Sequence, residues 1–156
     1  MKVVVILSKD IFAAGKKTAT PSGFAEKVRS GSKKHTVRSN YQYWQKKIAT
    51  LKEKGGVLCL RQWSGKPYRS PQETIIEVPA EMVGVQPLVI KRAISGIKEY
   101  YEAEIDGINV DIEEVAKNDG LDWKTFMDWF LPIFDREGKN EITLAIIHFA
   151  TSRYCV

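Results

Sequence analysis

What most limits the folds open to this chain is the irregular order in which short β-branched runs and helical stripes follow one another. "KVVVILS" (2–8), "VLCLRQW" (57–63), "ETIIEVP" (73–79), "LVIKRAI" (88–94) and "NEITLAIIHFATS" (140–152) read as strands. "KEYYEAEIDGINV" (98–110) reads as a strand and turn. Helices interrupt them. In "SGFAEKVRSG" (22–31), Phe24, Ala25 and Val28 recur at helical spacing, with Ser22 as a cap and Gly31 at the stop. "NYQYWQKKIATLKEKGG" (40–56) has an Asn cap, apolar residues at 41, 44, 48 and 51, and a Gly-Gly end. "VDIEEVAKNDG" and "LDWKTFMDWFLPIF" form a predicted helix pair around Gly120. Residues 9–23, small, polar and broken by Gly15 and Pro21, read as a long loop. Regular βαβ alternation is missing, so the expected class is α+β: one domain over residues 1–156, a small barrel or curled mixed sheet with flanking helices.

Charge is distributed unevenly along this order. Residues 1–72 hold 16 Lys and Arg against three Asp and Glu, a net of +13. Residues 73–156 hold 8 against 16, a net of −8, and together these give the chain's +5. A basic first half implies an anionic partner, nucleic acid or a nucleotide, with the acidic half as scaffold and source of any catalytic acid. Alternatively the two halves interleave in space and cancel.

Several classes are set aside. No apolar run approaches the ~18 residues of a membrane span. "MKVVVILSKDIF" lacks a small-residue cleavage site and suits a buried first strand better than a signal peptide. Cys59 lies in an apolar run and Cys155 far from it, at no metal spacing, so a cytosolic protein with reduced thiols is expected. The chain has no GxGxxG, Walker loop, HExxH or CxxC pair. Its two histidines, His148 in a core-like run and His35 on a segment read as exposed, do not suggest a metal site, and no cofactor is expected.

Chemistry therefore rests on Lys, Arg, Thr, carboxylates and aromatics, and these concentrate in "GSKKHTVR". Gly31, Lys33, Thr36 and Arg38 fit a Gly-x-Lys-x-x-Thr-x-Arg pattern placed after a short helix. The pattern resembles the signature of the ASCH domain, a branch of the PUA-like fold. The resemblance is close over eight residues and covers most of the chain in outline, with 9–23 unaccounted for. It implies a small β-barrel with flanking helices that binds RNA or a modified nucleoside. It also carries partial similarity to small bacterial amidohydrolases that act on acetylcytidine through a Lys, a Thr and a downstream Glu. On this chain the resemblance puts Lys33 and Thr36 in the base and nucleophile positions. The Glu falls best on Asp119, one methylene shorter, with Glu113 or Glu114 as alternatives.

Two readings follow. As a base, Lys33 would have to be neutral part of the time. At a reference pKa of ~10.4 only about one in 2,500 would be neutral at pH 7, and lowering it by ~3 units takes about 4 kcal/mol. Lys34 and Arg38 as like-charged neighbours, together with burial, push in that direction, while Asp119 opposes them. If 34–38 is a strand, Lys34, Thr36 and Arg38 share a face, so Lys33 converges on Thr36 only if the chain is still turning at 33. The binding reading asks less. Lys33, Lys34 and Arg38 offer donors to phosphate, and Thr36 to a base or phosphate. In "WSGKPYRS", Trp63 and Tyr68 flank Lys66, with Arg69 beyond, a plausible stacking platform for unpaired bases. Tyr41, Tyr43 and Trp44 follow the motif closely, although Trp44 lies on an apolar helix face. Trp123, Phe126, Met127, Phe130 and Leu131 have core spacing.

Overall fold

In the computed structural model, which describes residues 1–155, the first apolar run becomes β1 (Lys2–Ile6). It pairs in parallel with β5 (Val57–Trp63), and β5 pairs antiparallel with β6 (Gln72–Pro79). A second sheet has the order β4 (His35–Arg38), β10 (Glu141–His148), β7 (Gly84–Ser95), β8 (Lys98–Ile105) and β9 (Ile108–Val110), with antiparallel pairs throughout. Four helices complete the α+β architecture among the described residues: α1 (Phe24–Ser30), α2 (Tyr41–Lys54), α3 (Ile112–Asn118) and α4 (Trp123–Glu137). The strands divide into sheets of three, five and two, and their hydrogen bonding does not close into one ring.

Local chemistry accounts for most boundaries. Asn40 Oδ1 accepts from Tyr43 N at 3.3 Å to start α2, and Asp122 Oδ1 accepts from Thr125 N at 2.8 Å to start α4. α1 ends at Gly31, whose φ of 83° lies in the left-handed region that glycine enters without a Cβ clash. The central strands bury Leu58, Leu60, Leu88, Ile90, Leu144 and Ile146, and α4 lays Phe126, Phe130 and Phe134 into the same continuous core.

Two expectations need correction. Residues 9–23 are not a loop: β2 (Asp10–Ala13) and β3 (Lys16–Pro21) form a hairpin. Its two-residue turn has positive φ at both Ala14 (52°) and Gly15 (76°), a conformation that Asn-Gly or Asp-Gly would have announced and Ala-Gly does not. The hairpin packs on α4, with the Phe12 and Trp129 rings 5.4 Å apart and Ala14 N donating to Asp128 O at 3.4 Å. Trp123 has core spacing but is 46% exposed, because it is the first residue of α4 and projects from the helix end. Phe126, Met127 and Phe130 are buried, while Leu131 and Trp44 pack half-buried against the core.

Candidate functional site

After Gly31 stops α1 the chain continues to turn. Lys33 N donates back to Lys27 O at 3.0 Å, and Lys34 N donates to Asn118 O at 2.7 Å. The strand β4 begins only at His35, so Lys33 stays outside its two-residue alternation. Lys33 and Thr36 thereby line one cavity, whereas Lys34 is exposed and outside it.

Lys33 is almost wholly buried, at 1% exposure. Its Nζ donates to the Asp119 carbonyl oxygen at 2.6 Å and to Asp119 Oδ1 at 2.9 Å, and it sits 4.1 Å from the Phe24 ring centroid. Asp119 caps the C-terminus of α3, which brings both of its acceptors to the lysine. Gly120 makes the approach possible: with φ of 86°, a Cβ there would meet Lys27 Cδ at 3.3 Å and Lys33 Cβ at 3.4 Å. Burial pulls the Lys33 ammonium below its ordinary range; Asp119 opposes the shift, and Arg38 and Lys27 add to it. The like-charged neighbours are thus Arg38 and Lys27. Lys34, expected to contribute, does not, because it faces water.

His35, read as exposed, is buried at 1% and belongs to the site. Asn118 Nδ2 donates to the Tyr154 hydroxyl at 2.9 Å, and that hydroxyl shares a hydrogen bond with His35 Nε2, 2.7 Å away. His35 Nδ1 is buried 3.4 Å from Asp119 Oδ1, beyond a good hydrogen bond. His148, paired across the sheet with His35, donates from Nε2 to Gln86 Oε1 at 2.9 Å. Burial lowers both imidazoles, His148 to about 3, and raises the Tyr154 phenol to about 12.

Arg38 ties the two large sheets together. Its Nη2 donates to Ile6 O at 2.6 Å, while its Nε is buried with no hydrogen-bond partner. Thr36, on the same strand face, is also buried, at 4% exposure.

Lys33, Thr36, Arg38 and Asp119 line a cavity of about 520 Å³, inside the roughly 300–1,000 Å³ range of small-molecule sites, while His35, His148 and Tyr154 lie behind them and do not line it. Of the residues singled out in the sequence, Lys33, Thr36, Arg38, Asp119, Trp63 and Tyr68 line it. Lys34, Lys66 and Arg69 do not, nor do Glu113 and Glu114 in the first turn of α3. The Trp63 and Tyr68 rings lie 5.0 Å apart, tilted by 49°. The cavity is also lined by aromatic residues that sequence reasoning missed, Phe12, Phe24 and Trp129, with Trp129 5.8 Å from Phe24. Among the described residues no group of three His, Cys, Asp or Glu side chains is arranged to hold a metal ion, and no helix is long and apolar enough to cross a membrane. The cavity, lined by both hydrogen-bond donors and aromatic rings, can hold a flat, polar-edged molecule. Comparison with known proteins adds no assignment: no family model matches the chain, and no curated protein or solved structure matches it.

Proposed function

We propose that this cavity binds a nucleobase, as a modified nucleoside or as an unpaired base of RNA, and that the chain is an ASCH-type domain of the PUA-like fold. In this reading the three- and five-stranded sheets, bridged by Arg38 and Ile6, are the two sides of a curled barrel left open. One observation carries the proposal: the Lys33, Thr36 and Arg38 motif and the aromatic side chains of Phe12, Phe24, Trp63, Tyr68 and Trp129 line one cavity of about 520 Å³. Aromatic faces hold a base by stacking, worth about 1–3 kcal/mol per base, and the buried donors read its edge. Lys34, Lys66 and Arg69 are exposed outside the cavity, where they are free to meet the phosphates of a longer strand.

The test is titration of the protein with modified and unmodified nucleosides, followed through the fluorescence of Trp63 and Trp129. Saturable quenching that Trp63→Ala weakens supports the reading. No response to any nucleoside or to single-stranded RNA rejects it.

A second reading, hydrolysis of an acylated nucleoside amide, is favoured by the buried Lys33–Asp119 pair beside Thr36. Neutral Lys33 would take the Thr36 hydroxyl proton as Oγ1 attacks the acyl carbon, and would pass it to the departing amine. Water then releases the acyl group as a carboxylic acid and restores the threonine proton. Burial shifts the Lys33 ammonium in the direction this step needs, Asp119 opposes that shift, and Asp119 holds the amine in place. Loss of the acetyl group from acetylcytidine, abolished by both Lys33→Ala and Thr36→Ala, is the outcome that would establish it.

A further inference from the structure

A neutral base leaves much of the cavity's chemistry unanswered. On the floor, Lys33 is matched by Asp119, but Arg38 keeps a buried Nε with no acceptor. Arg38 also lines the cavity, so its guanidinium adds a positive charge there that no carboxylate pairs among the described residues.

The rim shows a second imbalance. Lys9 follows β1, Lys17 lies on β3 and Arg136 stands in the last turn of α4, three separate elements that bring cations to one opening. Asp10 is the carboxylate at the rim, and it pairs with Lys17 at 3.2 Å. Neither Lys9 nor Arg136 has a carboxylate partner among the described residues. Lys9 Nζ donates one proton to Ser64 O at 2.9 Å and has two left. Counting floor and rim together, five cations and two carboxylates line the cavity. All of them line the same concave, aromatic-lined cavity, and this excess of positive charge favours an anion there.

Given the base-binding reading, on which this step rests, we infer that the ligand is a nucleotide rather than a nucleoside. Its ring lies against the aromatic side chains that line the cavity, and its phosphate is held by Lys9, Lys17 and Arg136. A phosphate there gains charge-assisted hydrogen bonds, with the guanidinium able to bind two of its oxygens at once.

The experiment is a calorimetric titration of the full chain with the common ribonucleosides, their 5′-monophosphates, ribose 5-phosphate and a short single-stranded RNA. The expected result is at least one monophosphate binding about tenfold or more tighter than its own nucleoside. That advantage should shrink as salt rises, because exposed ion pairs are screened within about 10 Å at 0.1 M. It should also fall to near unity in the Lys17→Gln/Arg136→Gln double variant. RNA competing as well as the monophosphate would make a strand the source of the nucleotide, and failure to compete would make it the free monophosphate; both fit the inference. Nucleoside and monophosphate affinities within about twofold of each other would overturn it and leave base binding intact. Binding of ribose 5-phosphate as tight as any monophosphate, with no nucleoside bound, would overturn both.

Discussion

"GSKKHTVR" and "WSGKPYRS" have similar compositions: glycine, serine, two or three cations and one or two aromatic-type rings each. They meet at one cavity, yet their physics differs. The first is drawn under α3, where Lys33 is 1% exposed and bonded to Asp119 through two oxygens. The second is a surface loop whose Tyr68 is 89% exposed, while Lys66 and Arg69 point into water. The loop is held by its own bonds, with Gly65 N donating to Ser70 Oγ at 2.9 Å and that hydroxyl donating to Lys66 O at 2.8 Å. Lys33 in the first segment is buried, paired with Asp119 and pulled below its ordinary pKa by burial, whereas Lys66 and Arg69 in the second face water. Environment, rather than residue type, separates the two segments.

The contrast is sharpest in what each segment tolerates. Asp119→Ala should destabilise the protein by about 3–5 kcal/mol, because it strands a buried ammonium and leaves His35 Nδ1 facing nothing. Urea unfolding measures this, and a loss below about 1 kcal/mol would mean that Lys33 is not confined as described. Acid acts on the same floor. His35 and His148 are neutral in the folded state, whereas the unfolded chain takes up protons near pH 6.5. The unfolded state binds more protons below that point, so stability falls as pH drops from about 6.5 toward 3. At about 1.4 kcal/mol per pH unit, His148 alone removes roughly 3 kcal/mol by pH 4. Flat stability between pH 7 and 4.5 would show that these imidazoles reach water.

In the second segment the effects are smaller and concern the ligand. Trp63→Ala should weaken nucleobase binding by about 1–3 kcal/mol while leaving the urea midpoint within about 0.5 kcal/mol of the parent. An unchanged affinity would move the base to the Trp129 wall. Smallest of all, Lys66→Gln and Arg69→Gln should each change stability by no more than about 0.5 kcal/mol. Their effect should appear only in the salt dependence of RNA binding, each removing about one unit from its log–log slope. A stability loss above 1 kcal/mol in either variant would erase the distinction between the two segments.

Much of the element order was readable because caps and apolar spacing are local: Asn40, Asp122 and Gly31 each act within a turn of their own position. The hairpin at 10–21 was not, since its turn is Ala14-Gly15 and its support comes from Trp129, more than a hundred residues away. In the site, Lys33, Thr36, Arg38 and Asp119 stood out by motif. His35 and Tyr154 did not. Nothing near "KKHT" signals burial, and Tyr154 reaches the histidine only because Gln86 bonds its backbone from both sides, donating to Tyr154 O at 2.9 Å and accepting from Tyr154 N at 3.0 Å. The one legible hint was pairing of a histidine in each of two strands, and the register that matches them is itself non-local.

The sequence by itself determined the α+β class, the helix ends, and the concentration of basic chemistry in residues 31–38, because propensity, capping and composition act over a few neighbouring residues. Tertiary structure alone decided which of those cations became a floor. Burial under α3 and the Phe24 ring, the pairing with Asp119, the orphaned Nε of Arg38 and the convergence of Lys9, Lys17 and Arg136 on one opening all depend on segments brought together across the chain. Desolvation and Coulomb interaction act through space, so they shift a side chain's chemistry only once the fold has chosen its neighbours.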